Sequence, residues 1–180
     1  MADPSRTRRD VARALAPLLL AGPALLAPAL AGATTKPPGI EKSPRLWATV
    51  NVCDTKAHPD TIGIRASMPG SGVRQERMYM RFKLQFVGTD DGKWHDLGPD
   101  GDSGFVSVGS AKYVRREGGW NFRLDPPAGV SYRLRGVVTF EWRRNGEVVR
   151  RAVKRTRSGH TGTTGADPKT FSAAECIVKA

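Results

Sequence analysis

The stretch from Val130 to Thr156 constrains the fold more than any other part of the chain. It consists of two long runs of alternating apolar and polar residues that meet at Asn145-Gly146, the dipeptide most typical of a two-residue β-hairpin turn. Its first run carries the densest apolar stripe in the sequence, formed by Tyr132, Leu134, Val138, Phe140 and Trp142. These features predict the central hairpin of an antiparallel β-sandwich.

A two-residue turn also predicts which side chains of the hairpin face each other. Glu141 would lie opposite Arg150 on the outer side, where opposite charges form a favourable cross-strand pair. Phe140 would lie opposite Arg151 on the inner side, which does not suit a buried position. This misfit suggests that the second strand diverges toward a sheet edge.

The rest of the chain shows the same period-two pattern in shorter runs. Asp91-Gly92 predicts another two-residue turn, which would place Thr89 opposite Trp94 at the start of a short partner strand. A tally of seven to nine strands with almost no helix indicates an all-β fold, specifically an antiparallel β-sandwich. The other predicted strands cover residues 46–53, 62–68, 78–86, 105–108 and 119–124, and residues 176–178 form either a last strand or a tail held by Cys176.

The first 33 residues have the features of an export signal peptide. A basic segment with four arginines precedes an Ala/Leu-rich stretch that ends in small-x-small cleavage sites. Three prolines within that stretch disfavour a membrane-spanning helix, so no transmembrane anchor is expected. Residues 34–45 form a Pro-rich polar leader, predicted to be flexible, and residues 46–180 form the domain. The expected location is extracellular, by the general or the twin-arginine export route.

The chain is strongly basic. Its formal net charge is +12, and removal of the signal segment, with four basic and two acidic residues, leaves +10 on the mature protein. Such a charge is typical of proteins with an anionic partner. Arginines outnumber lysines 20 to 9, however, which is also the result of a compositional bias toward arginine, alanine and glycine. The sequence leaves both explanations open.

Cys53 and Cys176 are the only cysteines in the sequence. An even count in an exported protein predicts a disulfide, which would join the beginning of the domain to its end. Neither a second cysteine pair nor clustered histidines accompany them, so no metal site and no cofactor are expected.

The segment Pro127–Arg135 resembles the immunoglobulin/fibronectin-III-like superfamily. Its turn, its tyrosine Tyr132 and the alternating strand that follows are similar to the corner tyrosine and strand F of those domains. The chain also resembles small secreted proteins of actinobacteria. The resemblance implies an immunoglobulin-like β-sandwich, but the cysteines depart from the mid-strand bridge of antibody-type domains.

That resemblance implies that the strand over residues 78–86 shares a sheet with the hairpin. The outward side chains of the three strands would then form one basic face, which is the predicted binding site, with no catalytic residue. The expected partner is an anionic protein or cell-wall polymer, bound by a monomer; nucleic acid is not expected as a partner. The predicted binding residues are Arg81, Lys83, Arg133, Arg135, Arg143, Arg150 and Lys154.

Two alternatives to a secreted binding or adhesion module remain at this stage. The Gly101-Asp102-Ser103-Gly104 segment matches the surroundings of a protease nucleophile, which would make the chain a small secreted hydrolase that uses Ser103. That mechanism needs a histidine base, and the chain is too short for the two barrels of such proteases. The other alternative is an accessory subunit of a cell-surface assembly.

Overall fold

The alternation of apolar and polar residues builds an antiparallel β-sandwich of two sheets. The structure is a computed structural model, and it describes residues 39–179. Over those residues it contains no α-helix, and two 3₁₀ turns lie at Ile40–Lys42 and Pro99–Gly101. The predicted all-β sandwich is therefore confirmed. The nine strands are β1 Trp47–Thr55, β2 His58–Pro69, β3 Glu76–Val87, β4 Trp94–Asp96, β5 Asp102–Ser110, β6 Arg115–Arg123, β7 Ser131–Arg144, β8 Glu147–Arg155 and β9 Glu175–Lys179.

β3 and β7 form the centre of the larger of the two sheets. They pair without a shift from Glu76 opposite Arg144 to Phe86 opposite Leu134. β4 and β5 follow one another along the other edge of β3, while β8 and β9 share the other edge of β7. The smaller sheet has the strand order β1-β2-β6. The outward side chains of β3 and β7 consequently dominate the exposed face of the larger sheet.

The core lies between the sheets and consists of the inward residues of the long strands. The inward side chains of β3 from Glu76 to Leu84 are at most 1% exposed, and Phe86 is partly buried. Trp142 of β7 is completely buried, and its indole Nε1 donates to the carbonyl of Pro69 at 3.0 Å. A buried indole N–H without an acceptor would cost free energy, so this bond allows the largest side chain to lie in the core. The predicted inward stripe is confirmed, although Tyr132 is only partly buried.

The C-terminal part of the chain closes one edge of the sandwich. Val50 of β1 exchanges two backbone hydrogen bonds with Ala173, at 2.9 and 3.0 Å. The Cys53–Cys176 disulfide then joins β1 of the smaller sheet to β9 of the larger sheet, with Cα atoms 5.5 Å apart. The predicted disulfide is confirmed, and it connects the two sheets as well as the two ends of the domain.

The predicted register of the hairpin is wrong beyond the turn, because β8 contains a β-bulge. The pairs next to Asn145-Gly146 follow the expected register, but Trp142 lies opposite Arg150, which leaves Val149 as the extra residue. One inserted residue moves every later side chain of β8 to the opposite face of the sheet.

A buried ion pair is the first consequence of the bulge. Arg150 was expected on the outer face, but its side chain points between the sheets and is 7% exposed. Its Nη1 donates to both carboxylate oxygens of Glu76, at 3.0 and 2.9 Å, and Arg144 and Ser71 also donate to that carboxylate. Burial raises the pKa of Glu76, but the hydrogen bonds from Ser71, Arg150 and Arg144 outweigh burial and hold it below the ordinary value.

The side chains of β8 that follow Arg150 also lie on the face opposite to the expected one. Ala152 lies opposite the buried Phe140, and Arg151 lies opposite Glu141 on the outer side, so the misfit of the expected register disappears. Lys154 lies opposite the buried Val138, on the inner side of the edge strand and away from the outer face where it was expected. The bulge thus gives both faces of the hairpin suitable partners.

The turn at Asp91-Gly92 also differs from the expectation. Trp94 pairs with Val87 and not with Thr89, because the connection is a loop of six residues. Gly88 closes the loop by donating its backbone N–H to the carbonyl of Lys93 at 2.8 Å, and Asp91 accepts from the Lys93 N–H at 2.9 Å. The hydrogen bond to the Asp91 side chain therefore stabilises a longer loop than the two-residue turn that was expected.

Several predictions concern the N-terminal part of the chain. The predicted signal peptide, residues 1–33, lies outside the described residues, as does the predicted leader up to residue 38. Residues 39–45 contain the first 3₁₀ turn, and Ile40 packs against the core. Among the described residues, no helix has the length and apolar character needed to span a membrane.

Candidate functional site

The outward face of the larger sheet is the site that the sequence predicted. β3 and β7 alternate so strictly that their even-numbered residues point into the core, while their odd-numbered residues point outward. The same register brings outward residues of the four flanking strands beside them. The face therefore combines side chains from six strands.

Trp94 occupies one end of this face. The guanidinium carbon of Arg135 lies 4.1 Å from the centroid of the indole, and that of Arg133 lies 5.9 Å from it. Arg135 is also held by Gln85, whose Oε1 accepts hydrogen bonds from Nε at 2.9 Å and Nη2 at 2.7 Å. Two cations thus share one aromatic ring, an arrangement stabilised by cation–π attraction.

Two further rings lie farther along the sheet. The guanidinium carbon of Arg143 is 4.4 Å from the ring centroid of Tyr79 and 4.5 Å from that of Phe105. Arg81 approaches the Phe105 ring from β3, at 5.7 Å. Arginines and aromatic rings therefore alternate across the sheet. We call this surface the arginine–aromatic face; it comprises Tyr79, Arg81, Trp94, Phe105, Arg133, Arg135 and Arg143.

Most acids around the face are already bound to cations. Asp102 binds Arg81, whose Nε donates to it at 2.8 Å, and Asp96 binds Lys83 at 2.7 Å. The hydrogen bond from Arg81 lowers the pKa of Asp102, and the hydrogen bond from Lys83 lowers the pKa of Asp96. Glu175 binds Arg133 at 2.7 Å. These carboxylates position the cations and neutralise part of their charge.

Glu141 is the acid nearest the centre of the face, and it is completely buried. Arg143 and Arg151 close over it, donating from Nε at 2.7 and 2.8 Å. Because both arginines remain partly exposed, the surface above the carboxylate is cationic. The predicted outer ion pair of Glu141 exists, but with Arg151 as its partner and not Arg150.

Arg135 is the cation of the face that most lacks a counter-charge. It has no carboxylate within ion-pair distance in the described part of the chain, and Arg155 lies close enough to act on it. Burial and the neighbouring Arg155 charge lower the pKa of Arg135 below its ordinary value, only partly opposed by Glu175. A guanidinium remains protonated despite such a shift, so an approaching anion would be stabilised there.

Acid is expected to destabilise the fold through these carboxyl groups. Since the pKa values of Glu76, Asp96 and Asp102 are lowered in the folded state, the unfolded chain binds more protons at acidic pH. The stability they contribute is complete above the ordinary values of 4.5 and 3.8 and is lost as the pH falls through the lower folded-state values. We expect the melting temperature, followed by circular dichroism, to fall below pH 4.5.

An Asp102→Asn variant should show a smaller fall than the wild type, since it has one such carboxyl group fewer. Asp125→Asn is the matched control, because Asp125 is exposed and makes no hydrogen bond among the described residues. Identical pH profiles for the wild type and Asp102→Asn would contradict the role given to the Arg81–Asp102 pair.

The structure brings together five of the seven predicted binding residues. Arg81, Lys83, Arg133, Arg135 and Arg143 all point outward on the larger sheet. Arg150 and Lys154 do not, because of the bulge in β8. Sequence reasoning missed Arg151 and Arg155, which take their places, and it missed the rings of Trp94 and Phe105. The misfit of Phe140 with Arg151 was the one signal in the sequence that could have revealed the shifted register.

Lys154 instead lines a cleft of about 580 Å³ at the free edge of β8. Trp47 forms one wall of the cleft and stacks on His160, with ring centroids 4.4 Å apart and planes at 10°. Burial lowers the pKa of His160, which favours the neutral imidazole. Arg155 and Arg157 add two further cations to the lining.

Ser103, the nucleophile of the hydrolase alternative, makes backbone contacts. Its hydroxyl accepts from the Phe82 N–H at 2.9 Å and donates to the Gly104 carbonyl at 2.7 Å. His95, the nearest upstream histidine in the sequence, bonds to Asp91 at 3.0 Å. Over residues 39–179, no group of three or more His, Cys, Asp or Glu side chains has an arrangement that could hold a metal ion.

Comparison with known proteins does not assign the chain to a family. No protein-family model and no curated protein matches it.

Proposed function

We propose that the chain is an exported, non-enzymatic binding module that holds an anionic partner on the arginine–aromatic face. The observation that carries this proposal is the stacking of Arg135 and Arg143 on three exposed or half-exposed rings, at 4.1 to 4.5 Å. The proposal of export rests on the predicted signal peptide. The proposal that the chain is not an enzyme rests on the sequence.

Stacked arginines are suited to binding because they are already ordered. A ring beneath the guanidinium holds it flat, while the N–H groups that are not bound to Gln85 or Glu141 stay available to a carboxylate or phosphate. Ordering a free arginine on binding would cost roughly 0.5–1.5 kcal/mol in lost rotamer freedom. The stacking on Trp94, Tyr79 and Phe105 removes much of that cost before the partner arrives.

The charge on this side of the sheet supports an anionic partner. Nine cations in the strands point outward against four acids, an excess of five positive charges. Such an excess on one face attracts a polyanion over longer distances than single contacts do. The cations are Arg77, Arg81, Lys83, Arg133, Arg135, Arg143, Arg151, Arg155 and Lys179, and the acids are Asp96, Asp102, Glu141 and Glu175.

The strand order supports membership in the immunoglobulin/fibronectin-III-like superfamily, which we propose on that ground. Sheets of order β1-β2-β6 and β3-β7-β8 correspond to the A-B-E and C-F-G strands of such domains. Domains of this architecture commonly serve as binding modules at cell surfaces, and we propose an acidic cell-wall polymer or acidic protein as the partner. Fold likeness alone does not assign function, so the proposal rests on the face.

Replacing two arginines of the face should weaken binding to a polyanion. We expect the wild type to bind poly-L-glutamate at low salt, with an affinity that decreases steeply as salt increases. An Arg133→Gln/Arg135→Gln variant should bind at least tenfold more weakly, and the slope of log affinity against log salt should fall by roughly two. Isothermal titration calorimetry at several salt concentrations measures both quantities.

A variant with the same change of net charge provides the control. Arg115→Gln/Arg123→Gln also removes two positive charges, but both residues lie on β6 of the smaller sheet and are exposed. If this control loses as much affinity as the face variant, binding depends only on net charge and the proposed site is wrong. Unchanged binding of the face variant would contradict the proposal equally.

A further inference from the structure

A second cluster of cations lies where β3 begins, beside the turn between β5 and β6. It surrounds an open cleft of about 370 Å³, and none of the described residues that line the cleft is acidic. The cluster adjoins the arginine–aromatic face, since Arg77 lies opposite Arg143 on the outer side of the sheet. Its cations are Arg74, Arg77, Lys112 and Arg116, and Ser110 and Tyr113 also line the cleft.

These four cations differ from those of the arginine–aromatic face, because within the described part of the chain none has an ion-pair partner or a hydrogen-bond acceptor. The Nε of Arg116 is buried and still lacks an acceptor. Burying a guanidinium N–H without a hydrogen bond costs free energy. Four like charges on one cleft also repel each other, so the cluster is stabilised when an anion enters.

The Tyr113 ring holds two of these cations in place. The guanidinium carbon of Arg116 lies 4.0 Å from the Tyr113 ring centroid, and the Lys112 ammonium lies 4.8 Å from it. Gly109 lies directly under Arg116, and a Cβ there would be 3.6 Å from the Arg116 Nε. Its φ of 108° is strained for any other residue. The cleft is therefore built around an ordered guanidinium.

We infer that this cleft binds a phosphate group. A phosphate monoester carries a charge of about −1.5 to −2 near pH 7 and offers three acceptor oxygens. A carboxylate carries a single charge and offers two oxygens, so it satisfies fewer of the four cations. Arginine forks match the geometry of two phosphate oxygens, and the Ser110 hydroxyl adds a donor for another. This site goes beyond the proposed function, because it does not depend on the arginine–aromatic face.

Titration calorimetry with inorganic phosphate tests the inference. We expect one phosphate to bind per wild-type chain at low ionic strength, and sodium acetate at the same concentration to bind at least tenfold more weakly. An Arg74→Gln/Arg116→Gln variant should lose at least tenfold in phosphate affinity. Circular dichroism spectra and melting temperatures establish that the variant is folded, which is expected since Arg74 is exposed and Arg116 partly so.

Two control variants decide between the possible outcomes. Arg115→Gln/Arg123→Gln removes the same charge elsewhere, and Arg133→Gln/Arg135→Gln alters the arginine–aromatic face; both should retain phosphate affinity within about twofold. Equal weakening in all three variants, or equal binding of acetate and phosphate, would overturn the inference. If the face variant kept its polyglutamate affinity, the proposed function would fail, but phosphate binding that depends on Arg74 and Arg116 would still support the cleft.

Two further probes distinguish between a phosphate polymer and a lipid headgroup as the source of the phosphate. Soluble polyphosphate presents phosphate as a polymer, whereas vesicles of phosphatidylcholine with phosphatidic acid present it as a lipid headgroup. We expect the wild type to bind polyphosphate, and the Arg74→Gln/Arg116→Gln variant to lose at least fivefold in that affinity. If the wild type binds the vesicles and the same substitutions abolish that binding, the lipid headgroup is the source. If the substitutions change neither the affinity for polyphosphate nor the affinity for the vesicles, the proposed site is wrong.

Discussion

Replacing Glu76 with alanine is expected to lower the free energy of unfolding by about 3–5 kcal/mol, because it leaves a buried charge without its partner. The Arg150 side chain is 7% exposed, and its Nη1 donates only to the carboxylate of Glu76. Without that carboxylate, the guanidinium must either stay desolvated or move the end of β8 to reach water. Urea unfolding, followed by circular dichroism, measures the loss.

A double variant separates the buried charge from the packing around it. Glu76→Ala/Arg150→Met removes both charges, so it should recover most of the lost stability. Glu141→Ala is the matched single control, since Glu141 is equally buried but its partners Arg143 and Arg151 are 24% and 60% exposed and can return to water. We expect that control to cost only about 1 kcal/mol. Equal losses for the Glu76 and Glu141 variants would contradict this account of the ion pair.

Removing the disulfide with Cys53→Ser/Cys176→Ser is expected to cost about 4–5 kcal/mol. The two cysteines are 123 residues apart, so the bridge restrains nearly the whole unfolded domain. In the folded state it holds β9 and β1 together, and β9 in turn completes the outward face beside Arg133. The double variant should therefore also bind polyglutamate more weakly at temperatures near its midpoint of unfolding.

Urea unfolding of the oxidised wild type, the reduced wild type and the double serine variant measures this contribution. The last two should agree within about 1 kcal/mol, since both lack the same covalent constraint. A double variant as stable as the oxidised protein would contradict the role given to the bridge. The reduced wild type keeps both sulfur atoms, so its comparison with the serine variant separates loss of the bridge from the cost of a serine hydroxyl at Cys176, which is 2% exposed.

The parts of the fold that the sequence predicted well are those with a strong local signal. Met78, Met80, Phe82 and Leu84 are buried as their alternation predicted, and the hairpin turn lies at Asn145-Gly146. Alternation assigns each residue to a face because the strand geometry has a strict period of two. Five of the seven predicted binding residues lie on the two strands where this alternation is uninterrupted.

The errors arose where one residue changed the register. The misfit of Phe140 with Arg151 indicated that the expected register was wrong, but it did not identify Val149 as the inserted residue. The pairing of Arg150 with Glu76 spans 74 residues of sequence, so only tertiary packing could reveal it. Trp94 was displaced in the same way, by a loop longer than the Asp91-Gly92 dipeptide predicted.

The sequence by itself determined the strand content, the central hairpin and its inward stripe, and the pairing of the two cysteines. It also determined that the outward side of β3 and β7 would be basic. Only the tertiary structure decided which arginines of the hairpin are exposed, because a bulge reverses the faces of β8 without changing its composition. It also decided that the rings of Trp94 and Phe105 join the basic face, since these residues belong to strands β4 and β5, whose register depends on long-range pairing with β3.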